Sequence, residues 1–172
     1  MASIQAQFLP ETAPSVIHLT IASSFRRPVF AYPEAARAVA RAQRSPAVWC
    51  SSRCLAWVLM PDSWQGLVII GAEDSLNRLA RRFKAATTRT VEPRFRVNGW
   101  LWERKIAGVA LAKEEDQRSA ARQLIGSPVR AGLADCVGSY PYWDAVWLEA
   151  AATIRPAPND LPTRGEANTM AR

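Results

Sequence analysis

The chain has 172 residues, 49% of them apolar, and 22 Lys and Arg stand against 15 Asp and Glu, giving +7 and a pI near 10. One folded domain with tails is expected, and wholesale disorder is excluded. No apolar run approaches the ~18 residues of a membrane span, and the opening MASIQAQFLPETAPS lacks the basic-then-apolar layout of a signal peptide, so a soluble, cytoplasmic protein with no membrane partner is expected. Residues 1–14 are polar and contain proline, as a loose arm does. Ser15 to Ser23, SVIHLTIAS, alternates as a strand, with Val16, His18 and Thr20 on one side and Ile17, Leu19 and Ile21 on the other. After FRRPVF, the Ala-rich PEAARAVARAQR starts a helix at Pro33, and Ser45-Pro46 ends it.

A second strand is expected over Trp49 to Met60, irregular around Ser51 to Arg53, and a third over Trp64 to Ile70. The tight Pro61-Asp62 turn makes them a hairpin. SLNRLARRFKAATTRT, from Ser75, reads as a helix with Leu76, Leu79, Ala80 and Phe83 on one stripe and Arg78, Arg81, Arg82 and Arg89 opposite. Pro93 and Gly99 break the pattern, and a short strand falls within WLWERKIAGVAL. A last helix runs from about Lys113 to Ile125, its first turn carrying Glu114, Glu115 and Asp116, where the helix dipole favours acids. Gly126 and Pro128 terminate it, and residues 149–172 form a Pro-rich polar tail of disordered character. The order strand, helix, strand, strand, helix, strand is that of an α+β, ferredoxin-like split βαβ antiparallel sheet with helices on one face, plus an additional C-terminal helix.

The surplus of Arg favours a polyanion partner, nucleic acid first, because guanidinium groups fork onto phosphates and stack on bases. Cys50, Cys54 and Cys136 form no zinc spacing, and the only histidine, His18, lies far upstream. Reduced, packed thiols are expected. In LMPDSWQGLV, Ser63 and Gln65 lie two apart around Trp64, so on a strand they share a face.

IHLTIASSFRRPVF, LMPDSWQGLV, the basic helix followed by WLWERK, and ARQLIGSPVRAGL running into SYPYWDAVW stand in one order between about Ser15 and Leu148. Together they resemble the REP-associated tyrosine transposases, bacterial relatives of the single-tyrosine (HUH) insertion-sequence transposases. The resemblance implies the ferredoxin-like fold. It also implies a third strand carrying His-hydrophobic-His to hold a divalent Mg or Mn ion that polarises a scissile phosphate. A tyrosine on the last helix then attacks to leave a phosphotyrosine link, and an Asn one turn later faces the metal.

On that resemblance, Ser63 and Gln65 occupy the histidine positions, Gln123 the tyrosine position and Ser127 the Asn position. A neutral amide cannot serve as the phosphoryl-accepting nucleophile, and a hydroxyl and an amide are poor replacements for two imidazoles. Loss of a nucleophile alone costs ~10⁶ in rate in a well-studied hydrolase. A catalytically inactive copy with no bound metal or other cofactor is expected. Its partner is expected to be DNA, as single strands or hairpin repeats, met by Arg78, Arg81, Arg82, Lys84, Arg89, Arg94, Arg96, Arg104 and Lys105. Trp100 and Trp102 serve either as core or as platforms for unpaired bases. Tyr32, Tyr140 and Tyr142 read as packing, and His18 as a sheet histidine. Two alternatives stand beside this reading. One is a residual metal-dependent nicking enzyme using Asp62, Gln65 and neighbouring carboxylates; the other is an interaction subunit, as a homodimer or paired with an intact relative.

Overall fold

A computed structural model describes residues 16–146; the expected arm over residues 1–14 and the expected tail over residues 149–172 lie outside the described residues. The hydrophobic alternation of VIHLTIA makes strand β1, Val16–Ala22. Helix α1, Pro33–Ala42, opens with proline in its first turn and buries Ala35, Ala36 and Val39. Strands β2, Arg53–Met60, and β3, Ser63–Ile69, are joined by Pro61 and Asp62 with Met60 opposite Ser63, the expected hairpin. Helix α3, Leu76–Thr90, begins at Ser75, whose hydroxyl accepts from the Arg78 backbone N–H. Strand β4, Ala107–Leu111, and helix α4, Glu114–Ile125, follow.

Two elements depart from the sequence reading. Trp49 does not open β2; it closes a one-turn helix α2, Pro46–Trp49. The Ser45-Pro46 pair that stops α1 also starts this turn, because proline's fixed φ suits a first helical position. The segment after α4 forms a short helix α5, Ser127–Arg130, and then a strand β5, Trp143–Ala145, which alternation over three residues is too short to announce.

All neighbours in the five-stranded sheet are antiparallel, in the order β4-β1-β3-β2-β5. The first four are the ferredoxin-like arrangement of two interlocked βαβ units, and β5 extends the sheet beside β2. The period-two rule sorts the strand residues onto two cores. Leu19, Ile21, Leu59, Trp64 and Val68 pack against Val39 of α1 and Leu79, Ala80 and Phe83 of α3. Val16, Ala56, Val58 and Leu67 pack against Ala121 and Leu124 of α4. The additional helix therefore covers the face that α1 and α3 leave open.

Trp64 is the centre of the first core. Its indole is fully buried and donates from Nε1 to Gln43 Oε1 at 2.7 Å. It also lies 4.6 Å, centroid to centroid, from Phe83. The far edge of the ring occupies the space beside Gly66, where a Cβ would stand 2.3 Å from Trp64 Cη2. The Trp-x-Gly spacing is thus a packing requirement: the residue two along on the same face must have no side chain.

Candidate functional site

Strand β3 turns Ser63 and Gln65 to the face that α4 covers, since Leu67, of the same parity, packs against Ala121 and Leu124. Gln65 is half-buried, opposite Thr20 of β1 and Val58 of β2. Ser63 is buried, and its hydroxyl donates to Asp62 Oδ1 at 3.0 Å. The other oxygen of Asp62 accepts from Arg26 Nη1 at 3.2 Å. His18 is paired with Leu67 and so lies diagonal to Gln65. Its Nε2 is enclosed with no hydrogen-bond partner among the described residues. Burial lowers the pKa of this ring, against the smaller opposing pull of the Gln65 amide.

Gln123 is exposed on α4, and Ser127 follows four residues later. The Ser127 hydroxyl donates to the Gln123 carbonyl at 2.9 Å. The Arg130 guanidinium donates to the same carbonyl and, at 3.0 Å, to Ser127 Oγ. Both side chains donate to one carbonyl, that of Gln123, in the last turn of α4. The side chains on this face offer the single imidazole of His18, hydroxyls, neutral amides and an Asp62 carboxylate paired with Arg26. Among the described residues no group of three or more His, Cys, Asp or Glu side chains converges to hold an ion. One imidazole and one ion-paired carboxylate are a poor set for a divalent metal, which is held by several such ligands.

The tyrosines are engaged in packing. Tyr140 donates its hydroxyl to the Leu59 carbonyl at 2.6 Å, and burial pushes its pKa up to about 12. Tyr142 meets it edge-on at 5.9 Å, and Tyr32 tilts against Phe95 at 5.2 Å. The thiols only partly follow expectation. All three are free, but Cys50 and Cys136 are exposed and only Cys54 packs against the core; both exposed thiols stand beside helix ends or turns, where the chain leaves the layers.

The basic residues divide by what their heads touch. Arg82 folds back along α3 to pair with the buried carboxylate of Asp74 and donates from Nε to the Val48 carbonyl at 2.9 Å. Arg94 pairs with Glu34 and Glu92, at 2.9 and 3.0 Å. Arg96 donates to the Thr88 and Val91 carbonyls, closing the end of α3. Lys84 donates to the Glu103 and Arg104 carbonyls at 2.6 and 3.1 Å, and burial lowers its pKa. Arg78 reaches only the Glu73 carbonyl, at 3.2 Å. Arg81, Arg89, Arg104 and Lys105 are exposed and make no ion pair among the described residues.

Arg81, Arg89 and Arg104 line one groove of about 550 Å³ between α3 and the segment Gly99 to Ile106, with Lys84 and Trp100. The two tryptophans part company here. Trp102 is buried and donates from Nε1 to Thr87 Oγ1 at 2.8 Å, as core does. Trp100 is 55% exposed, with the Arg104 guanidinium 5.4 Å from its ring centre. Trp100 ends a two-residue hairpin in which Val97 and Trp100 exchange both backbone hydrogen bonds at 2.8 Å. Asn98 and Gly99 between them both have positive φ, 49° and 84°, the Asn-Gly turn that suits a tight hairpin. That dipeptide was the available signal for a rigid Trp100, and the break in helical pattern hides it.

A further feature has no sequence signal at all. Phe25 and Arg26 both adopt the left-handed region, at φ 57° and 53°, without being glycine. Each such residue costs about 1–2 kcal/mol. The Phe25 backbone N–H donates to Glu103 Oε1 at 2.8 Å, and Ser24 N–H to the Leu101 carbonyl at 2.9 Å. These bonds hold the loop against the segment that carries Trp100.

No protein-family model matches the sequence, and the search of curated proteins gave no match. Among solved structures, the chain is similar to a REP-associated tyrosine transposase bound to a REP hairpin. The TM-score is 0.59 at 15% identity, covering 97% of this chain and 100% of that one. It is also similar to a candidate transposase from Deinococcus radiodurans R1, with TM-score 0.51 at 20% identity, covering 70% of this chain and 96% of that one. No helix among the described residues is long and apolar enough to cross a membrane. The five-stranded sheet, with α1 and α3 on one face and α4 on the other, is the fold of a REP-associated tyrosine transposase.

Proposed function

We propose that this protein binds single-stranded or hairpin repeat DNA and does not cleave it. The observation that carries the reading is the groove between α3 and Gly99 to Ile106, which an exposed Trp100 lines together with Arg81, Arg89 and Arg104, none of them ion-paired among the described residues. Three guanidinium groups and Lys84 against the single carboxylate of Glu103, beside an aromatic face, suit phosphates with neighbouring unpaired bases. The related structure was solved with a hairpin bound. The groove lies on the α3 side of the sheet, and Ser63 and Gln65 face α4 on the other. Binding there needs none of the four positions where the family's chemistry resides.

The absence of cleavage rests on those positions. Gln123 offers an amide where a phenol would attack, and Ser63, Gln65 and Ser127 offer no ligand set for a divalent ion. A residual nicking enzyme would have to use Asp62, whose carboxylate is occupied by Arg26 and Ser63.

A salt titration of binding to a labelled hairpin, read by fluorescence anisotropy, tests the groove. Arg81→Ala with Arg89→Ala is expected to weaken binding and to flatten the plot of log affinity against log salt by about one per lost phosphate contact. Arg82→Ala is expected to lower the melting temperature while leaving that slope unchanged, since its head is held by Asp74. A slope unaltered by loss of Arg81 and Arg89 would contradict the assignment of the groove.

A further inference from the structure

Beside the basic groove lies a second cavity of about 230 Å³ lined by Phe25, Asn98, Trp100, Glu103 and Arg104, the Glu103 carboxylate accepting from the Phe25 backbone N–H. Two large aromatic side chains stand in solvent at its edge, Phe25 at 75% and Trp100 at 55% exposure. Exposed aromatics that line one cavity are unusual on a surface with nothing to bind. Their backbones are held in place. The Asn98-Gly99 turn fixes Trp100, and the Glu103 carboxylate and Leu101 carbonyl pin Phe25 and Ser24. The left-handed conformation of Phe25 and Arg26 is strain at the cavity's rim, and it persists because these bonds over-determine the loop. Phe25 contributes nothing to either buried core, so packing does not account for its position.

We infer that this cavity is a stacking slot for one unpaired DNA base, gripped by Phe25 and Trp100 while Arg104 meets the adjoining phosphate. The slot rests on the DNA-binding reading and adds to it the part of the ligand that is recognised. Its size argues for one base: cavities for drug-sized ligands run ~300–1,000 Å³, and this one is smaller. Its position argues for nucleic acid, because Arg104 lines both this cavity and the basic groove, so a backbone lying in the groove passes the slot. Stacking on aromatic faces tolerates any base sequence, so the slot distinguishes unpaired from paired strands.

The test uses the full chain with two labelled probes, a twelve-nucleotide oligo-dT and a blunt, fully paired duplex of equal length. Phe25→Ala and Trp100→Ala are each expected to weaken oligo-dT binding by about tenfold or more, without changing the salt slope, and to leave duplex binding within about twofold. Trp100→Phe is expected to retain most of the affinity. Phe25→Gly gives a signature that a structural role would not: relief of the left-handed strain is expected to maintain or raise the melting temperature while affinity for oligo-dT falls as in Phe25→Ala. The slot is overturned if neither aromatic truncation weakens oligo-dT binding beyond twofold, or if single-stranded and duplex probes lose equally. When the Arg81 and Arg89 variants still weaken binding in that case, the slot alone fails and the groove stands. If the intact protein binds neither probe, both fail together.

Discussion

Replacing Trp64 with alanine is expected to lower folding stability by about 3–5 kcal/mol, the cost of emptying a large aromatic site in a core that cannot collapse. The indole is fully buried, stacks near Phe83 and Trp49, and fills the space above Gly66. Its loss also strands Gln43 Oε1, on a residue 2% exposed whose Nε2 already lacks a partner among the described residues. Trp64→Phe should lose less, since it keeps part of the aromatic contact and forfeits the hydrogen bond. Urea unfolding monitored by circular dichroism measures both. A loss below about 1 kcal/mol for the alanine variant would contradict the account of this core.

The second large effect is expected at Asp74. Its carboxylate is almost wholly buried, accepts from Ser52 Oγ at 2.6 Å and from the Ser75 backbone N–H at 2.8 Å, and pairs with Arg82. Arg82 in turn donates to the Val48 carbonyl at 2.9 Å, so one carboxylate ties the start of α3 to α2 and the entry to β2. Asp74→Ala is expected to cost about 3 kcal/mol, the lower end for breaking a buried pair, because the Arg82 side chain remains 27% exposed. Hydrogen bonding from the Arg82 guanidinium holds the Asp74 carboxyl far below the usual carboxylate range. A depressed folded-state pKa means the stabilisation is present above the unfolded value of about 4 and is lost as pH falls below it. Asp74→Asn should therefore flatten the acid limb of a stability–pH profile. An acid limb identical to that of the parent protein would contradict the network.

These two sites show what the residue pattern discloses and what it hides. The period of two along β1 and β3 assigns Trp64 and Ser63 to opposite faces, and the period of 3.6 along α3 assigns Leu79, Ala80 and Phe83 to the core. Both are local rules, so they are legible. The same helical rule puts Arg82 beside Arg78 and Arg81 on a polar face, yet its head turns to an aspartate eight residues earlier. No periodicity encodes that, because the pairing depends on Asp74 being enclosed by another segment. Trp100 and Trp102 have strand-like spacing and should share an environment, but the Asn98-Gly99 hairpin closes at Trp100 and leaves it in solvent, while Trp102 is buried in the core. The left-handed turn at Phe25 is held by Glu103, distant in sequence, and no preference of phenylalanine foretells it. The reading of Ser63, Gln65, Gln123 and Ser127 as replaced chemistry rests on the resemblance alone, which gives those positions their meaning.

The most direct test of binding without cleavage is one reaction read in two ways. The protein is incubated with an end-labelled hairpin carrying single-stranded flanks, in manganese. The mixture is then divided between a native gel and a denaturing protein gel. The account predicts a retarded complex on the first, and on the second neither a shortened strand nor a labelled protein band, because Gln123 cannot form a bond to phosphorus. A nicked product or covalent adduct that disappears with a chelator would contradict it.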